Sequence, residues 1–142
     1  MKTIHHVVDI DTAAGPIWSA LTEVDRMAAW WSTKVETPVA AVGARVQWTF
    51  AGDFNPAMEV TGLDEPTLLE WRCIGGHDPW HNSTFRFELA SMDESRTRLR
   101  FTQGYGVELG DDAYGIYNFN WGYYLESLRL LCTTGIGKPY QA

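Results

Sequence analysis

Residues 112–134 read DAYGIYNFNWGYYLESLRLLCTT, and this stretch decides the fold. At 3.6 residues per turn it is long enough for a helix of about six turns. Asp111 or Asp112 is placed to cap it, while Gly135 and Gly137 end it, with Pro139 just beyond. With Leu128 at the centre of one face, Tyr114, Tyr117, Trp121, Tyr124, Leu125, Leu131 and Cys132 fall within about 60° of it, whereas Glu126 and Arg129 point elsewhere. A helix with so wide an aromatic face needs an equally wide apolar surface to bury it.

The preceding residues supply that surface. From Arg45 onward the chain shows apolar–polar alternation at a period of two in five runs: 45–50, 57–63, 68–74, 84–89 and 97–102. The short spacers between them imply antiparallel hairpins. Pairing Trp48, Val60, Trp71, Phe87 and Leu99 gives one apolar row, and Phe50, Met58, Cys73, Phe85 and Phe101 give a second on the same face. The opposite face then sets Glu59 near Arg72 and Glu88 near Arg98, opposite charges on a solvated surface. Upstream, residues 3–11 read as a strand, and Ala14-Gly15-Pro16 stops it. Ile17, Ala20 and Leu21 mark a short amphipathic helix over 16–22, and Asp25 is placed to cap a second through Trp31. Residues 36–43 show no clear period and read as an irregular or edge segment. The fold class is α+β: a curved antiparallel sheet wrapped around one long C-terminal helix, with two short helices after the first strand.

The chain has 142 residues, the length of one compact domain spanning 1–142. Its formal charge of −7 repels phosphate, which argues against nucleic acid and against an anionic membrane surface as partners. No run approaches the roughly 20 apolar residues of a membrane span, and the alternating N-terminus does not resemble a signal peptide. Two cysteines, Cys73 and Cys132, suit a reducing compartment, so a cytoplasmic location is expected. Seven Trp, six Tyr and six Phe either fill the core or line a hole in it.

Four motifs carry a family resemblance: Ile17-Trp18-Ser19-Ala20-Leu21-Thr22 followed by Trp30-Trp31; Leu68-Leu69-Glu70-Trp71; Thr97-Arg98-Leu99-Arg100-Phe101; and Trp121-Gly122-Tyr123-Tyr124-Leu125-Glu126-Ser127-Leu128. With them the chain resembles the START-like, or SRPBCC, superfamily of helix-grip proteins over nearly its whole length. Within it, the chain is most similar to the bacterial branch related to the activator of the heat-shock-protein-90 ATPase. The resemblance implies a cavity between sheet and helix that takes lipids, sterols, polyketides or other apolar molecules. It implies a container more than a reaction. The second domain by which the eukaryotic activator engages its chaperone has no counterpart in these residues, so the chaperone role is not carried over.

The candidate ligand-binding residues are Trp48, Met58, Trp71, Phe85, Phe87 and Phe101 on the sheet, facing Tyr114, Tyr117, Trp121 and Tyr124 on the helix. The alternative is that the same rings simply close the core. The stretch Gly75-Gly76-His77-Asp78-Pro79-Trp80-His81-Asn82 holds two His and a Trp at a hairpin end; His77, Trp80 and His81, together with Tyr105 in the glycine-rich lip 103–110, are the candidate gate. His77, Asp78 and His81 are acceptable zinc ligands, but their spacing suits a helix, which Gly-Gly and Asp-Pro break, so no metal is expected. His5 and His6 point to opposite faces of their strand. No nucleophile elbow is present, and Cys73 and Cys132 lie on apolar faces. That leaves Glu70, His77, His81 and Glu108 as acid–base candidates and no assigned catalytic residue. Asp111-Asp112 opens the last helix with negative charge, which disfavours a nucleotide there, and no cofactor is expected.

Ile116, Phe119, Tyr123 and Leu130 form an apolar stripe on the far side of the last helix. Either it is the contact of a homodimer, or residues 135–142 or 38–44 fold over it. The expected function is binding of a small, largely apolar molecule. A protein-interaction module akin to the chaperone activator, and a polyketide cyclase- or hydrolase-like enzyme using the same cavity, are the alternatives.

Overall fold

The computed structural model describes residues 2–37 and 40–142. Strand β1 (Thr3–Ile10) leads into helix α1 (Ala14–Thr22) and the single-turn α2 (Val24–Met27). Six strands follow: β2 (Lys34–Glu36), β3 (Arg45–Thr49), β4 (Ala57–Asp64), β5 (Leu68–Gly75), β6 (Thr84–Asp93) and β7 (Arg96–Gly104), before helix α3 (Asp111–Thr134). A 3₁₀ turn, Asp78–Trp80, interrupts the connection between β5 and β6. The strands form one antiparallel sheet in the order β1-β7-β6-β5-β4-β3-β2. The two short helices therefore carry the chain from one edge of the sheet to the other.

The alternation seen in the sequence sets the facing of each strand. On β6, Phe85, Phe87 and Leu89 are buried while Thr84, Arg86 and Glu88 are exposed. Trp48, Met58, Trp71, Cys73, Leu99 and Phe101 are buried on the same side. Each fully buried large apolar chain of this kind contributes about 1.5–3 kcal/mol relative to exposure. On the solvated face Arg72 donates to Glu59 at 3.1 Å, as the alternation implies.

The register departs from the expected rows by even steps. Val60 does sit opposite Trp71, and Met58 opposite Cys73. Trp71, however, pairs with Phe85 and Phe87 with Phe101, each two residues from the expected partner. Trp48 lies beside Pro56 rather than Val60, since its amide donates to the Pro56 carbonyl. Glu88 faces Arg100, and Arg98 instead makes a paired contact with Asp9 of β1, at 2.7 and 3.0 Å. A slip of two preserves the face of every side chain, so the alternation alone does not exclude it. Irregular pairing between Val60 and Gly62 adds to the departure.

All three helix starts differ from expectation, α1 opening at Ala14 rather than Pro16. The residue before α2 is Glu23, Asp25 lies within its first turn, and the helix stops at Met27 rather than running through Trp31. Gly110 precedes α3, with Asp111 and Asp112 in the first turn, where their charge suits the helix dipole without a side-chain cap. Gly135 closes α3 in the left-handed conformation at φ 85°, as the sequence indicates. Pro38 and Val39, in the segment read as irregular, lie outside the described residues.

Helix α3 buries Trp121, Leu125, Ser127, Leu128 and Leu131. The chain beyond it returns to α2 and β2. Lys138 donates its amide to the Ser127 hydroxyl at 2.6 Å, and that hydroxyl donates to the Trp30 carbonyl at 2.8 Å. Gly137 approaches so closely that a Cβ would lie 2.3 Å from the Ala29 carbonyl oxygen. Tyr140 donates its amide to the Trp31 carbonyl and accepts from the Thr33 amide. The C-terminal residues thus cover the α2–β2 region and not the outer stripe of α3. Ile116, Phe119 and Tyr123 are exposed, at 59%, 73% and 48%, while Leu130 is half-buried.

Candidate functional site

The connection between β3 and β4 is organised by Asn55. Its side chain accepts from the Phe50 amide and donates to the Gly52 carbonyl, each at 3.0 Å, while its carbonyl accepts from Gln47. Its amide donates to the Gly76 carbonyl at 2.9 Å. That last bond ties this loop to the next one, and it requires glycine: Gly76 sits at φ 83°, and a Cβ there would lie 1.8 Å from the Asn55 carbonyl oxygen. The β5–β6 connection then turns through Asp78–Trp80 and brings the indole of Trp80 inward. Phe50, Phe54, His77 and Trp80 are thereby gathered at one end of the sheet, opposite the first turns of α3.

These residues, with Trp31, Ala51, Tyr117, Asn120, Trp121, Tyr124 and Tyr140, line a cleft of about 290 Å³. Trp31, Trp80 and Trp121 stand at the inner side with ring planes inclined by only 15–30° to one another and centroids 5.0–6.2 Å apart. Phe54 meets Trp80 and His77 edge-on at 4.9 and 4.8 Å. Phe50 packs on Phe54 at 4.7 Å and on Tyr140 at 5.5 Å. A polar strap crosses from loop to helix, between His77 Nε2 and the Tyr117 hydroxyl at 2.7 Å.

Among the described residues no carboxylate, ammonium or guanidinium lines the cleft. Its polar groups are the His77 imidazole, the Asn120 amide and the phenols of Tyr117, Tyr124 and Tyr140. Burial raises the Tyr117 and Tyr124 phenols above their ordinary value, with smaller upward pushes from Asp53 on Tyr117 and from Tyr123 and Tyr140 on Tyr124. Both are neutral hydroxyls at physiological pH. The wall therefore presents aromatic faces and uncharged hydrogen-bonding groups, which suits a neutral, flat guest.

The residues selected from the sequence divide into two sets. Tyr117, Trp121 and Tyr124 of the helix line the cleft, with His77 and Trp80 of the gate. Trp48, Met58, Trp71, Phe85, Phe87 and Phe101 lie apart from it, each at most 1% exposed. Their rings interlock with those of the helix and of Trp31: Phe101 lies 4.3 Å from Trp121, Trp48 4.5 Å from Trp31, and Trp71 5.0 Å from Phe87. The middle of the sheet is packed core, and open space is found at its end. Tyr114 is outside the cleft, donating its hydroxyl to the Thr3 carbonyl at 2.8 Å. His81 is exposed, and Tyr105 is buried behind Tyr117 rather than at the mouth. Trp31, Phe50, Phe54, Asn120 and Tyr140 join the cleft without having been singled out as site residues. The Trp30-Trp31 pair and the apolar Phe50 were visible in the sequence, but nothing in Phe54 or Tyr140 indicates where their loops lie.

Of the acid–base candidates, only His77 reaches the cleft. Glu70 is on the outer face, where it accepts from Thr61 and Arg86, and His81 and Glu108 are exposed. His5 is exposed beside Thr102, whereas His6 faces α3 and contacts Asn118 at 3.1 Å. Among the described residues no three His, Cys, Asp or Glu side chains are grouped to hold a metal ion. Burial raises the Cys73 thiol and pushes that of Cys132 up to about 11, so both are protonated. Among the described residues no helix is long and apolar enough to cross a membrane.

A search of curated proteins finds no significant match. Solved structures give a consistent picture. The chain superposes on the solution structure of the Aha1 dimer from Colwellia psychrerythraea with a TM-score of 0.84 and 27% identity, covering 96% of this chain and 100% of that one. A Mesorhizobium loti protein matches with a TM-score of 0.78 at 22% identity, covering 92% and 96%. Norcoclaurine synthase from Thalictrum flavum, in complex with dopamine and hydroxybenzaldehyde, shares the fold at 13% identity and a TM-score of 0.67, covering 96% and 89%. The family described as Activator of Hsp90 ATPase homolog 1-like protein matches residues 11–132, from just after β1 through β7 and all but the last two residues of α3. The chain belongs to that family and has its helix-grip fold.

Proposed function

We propose that the protein binds a small, neutral, aromatic molecule in the cleft between the ends of β3–β6 and helix α3. The carrying observation is the cleft itself: about 290 Å³ walled by Trp, Phe and Tyr, with no carboxylate, ammonium or guanidinium among its described lining residues. Space of this size accommodates a guest of one or two rings, held by stacking and by burial at about 25 cal/mol per Å² of apolar area before ordering costs. Support comes from the fold, which in the Thalictrum enzyme holds two aromatic molecules. It also comes from the family, whose architecture is that of ligand-binding and co-chaperone-like modules. The ring-lined middle of the sheet has no part in this reading.

The test is occlusion. Ala51 is exposed at the rim, so Ala51→Trp places a large ring over the mouth with little effect on the core. Titration with 2-naphthol, followed by tryptophan fluorescence and calorimetry, is expected to give saturable binding in the wild type and at least tenfold weaker binding in Ala51→Trp. Equal affinity in both proteins would remove the cleft from the account.

The outer stripe of α3 supports a second element of the reading, assembly into a homodimer. Ile116, Phe119 and Tyr123 are exposed in one copy, and the Colwellia relative is a dimer. Sedimentation should show a dimer that Phe119→Lys converts to a monomer. A wild-type monomer at high concentration would refute it.

A further inference from the structure

Behind the cleft wall lies a buried polar corner. Among the described residues, the buried side-chain polar atoms without a hydrogen bond are Trp48 Nε1, Trp80 Nε1, Ser83 Oγ, Gln103 Nε2 and the Tyr105 hydroxyl. All but the first lie at one end of the β6–β7 pair. Thr84 faces Gly104, so the next positions outward along the hairpin are Ser83 and Tyr105. The Tyr105 hydroxyl is next to both Trp80 and Gln103. The side chains concerned are 0–5% exposed.

The inventory of this corner is one-sided. The Gln103 amide is oriented by its oxygen, which accepts from Trp121 Nε1 at 2.8 Å, so its nitrogen and both hydrogens face the other way. Trp80 offers an indole N–H and no acceptor. If both donated to Tyr105, the hydrogen of the phenol itself would still lack a partner. Each buried group left unpaired costs roughly 1–3 kcal/mol. The only acceptors among these unpaired groups are the Ser83 and Tyr105 hydroxyl oxygens, fewer than the hydrogens to be placed, and the corner adjoins the cleft through three residues: Trp80 and Trp121 each line the cleft while turning their indole N–H away from it, and Tyr117 lies 6.2 Å, ring to ring, from Tyr105.

We propose that the Trp80, Gln103 and Tyr105 donors bind a hydrogen-bond-accepting oxygen of the guest, a carbonyl above all, while its ring occupies the cleft. This deepens the reading of the cleft as a binding site and rests on it. For the oxygen to reach these donors, the segment carrying Trp80, between Gly76 at φ 83° and Asn82 at φ 60°, must shift. The site selects ketones and aldehydes over hydrocarbons of the same shape.

The matched probes 1-indanone and indane test this, since they differ by one carbonyl oxygen. Wild-type protein is expected to bind 1-indanone about fivefold more tightly, the effect of one neutral hydrogen bond. Tyr105→Phe is expected to bring the two to within about twofold. As a readout independent of that variant's folding, the indole N–H resonance of Trp80 should move on adding 1-indanone and stay in place with indane. Equal binding of the two probes in the wild type would mean that an ordered water, not the guest, satisfies the corner, and would overturn the inference while leaving the cleft intact. A preference that survives Tyr105→Phe, or an unmoved Trp80 indole, would also overturn it. Binding of neither probe would overturn the cleft reading and this inference together.

Discussion

Replacing Trp121 by alanine tests the packed middle of the molecule against the open end. The indole is 2% exposed and contacts Phe101 at 4.3 Å, Trp31 at 5.0 Å, Phe85 at 6.0 Å and Trp80 at 6.1 Å. Truncating a ring so enclosed costs about 3–5 kcal/mol. Its N–H also satisfies the buried Gln103 oxygen, whose abandonment adds roughly 1–3 kcal/mol. The sum approaches the total stability of an ordinary domain, about 5–15 kcal/mol. Trp121→Ala should therefore lower the urea midpoint drastically or prevent folding, and Trp121→Phe, which keeps a ring but removes the N–H, should fall between it and the wild type. Equilibrium urea unfolding of both variants supplies the measurement. A loss of less than about 2 kcal/mol for the alanine variant would show that the rings do not interlock.

Three further outcomes follow from particular contacts. Gly76→Ala should destabilise by several kcal/mol, because its Cβ would fall 1.8 Å from the Asn55 carbonyl oxygen at a positive φ; a loss below about 1 kcal/mol by urea unfolding would contradict the loop-to-loop tie. Ser127→Ala removes the hydroxyl that joins Trp30 to Lys138, and should cost about 1–3 kcal/mol and loosen the C-terminal residues, seen as faster amide exchange at Tyr140; unchanged exchange would refute it. Stability should also decline at alkaline pH. Burial raises Cys132 to about 11 and lifts Tyr117 and Tyr124 above their ordinary value, so the folded state holds protons that the unfolded state releases. Their contribution is complete below the unfolded thiol value near pH 9 and is lost as pH rises toward 11. Urea midpoints that stay flat from pH 8 to 11 would falsify this.

The sheet and its grip on the last helix were legible because period-two alternation and the aromatic face of α3 depend only on local order. Phe85 and Phe87 point inward in any register, and Gly135 stops the helix whatever it packs on. Register was not legible to better than two residues, since Trp71 is equally buried opposite Phe85 or Phe87. The cleft was less legible still. It is made by loops, and the positions of Phe54, His77 and Tyr140 depend on backbone bonds between distant segments, such as Asn55 to Gly76 and Tyr140 to Trp31. Composition announced many rings but not which of them stop short of contact. The six sheet residues chosen for the cavity were chosen for facing inward, and facing inward is equally what a filled core requires.

Intermolecular nuclear Overhauser effects from a bound 2-naphthol locate the guest directly. The cleft account predicts contacts from its ring protons to Phe54, Tyr124 and Tyr140. Contacts confined to Ile116 and Phe119 on the outer face of α3, or no contacts at saturating guest, would contradict it.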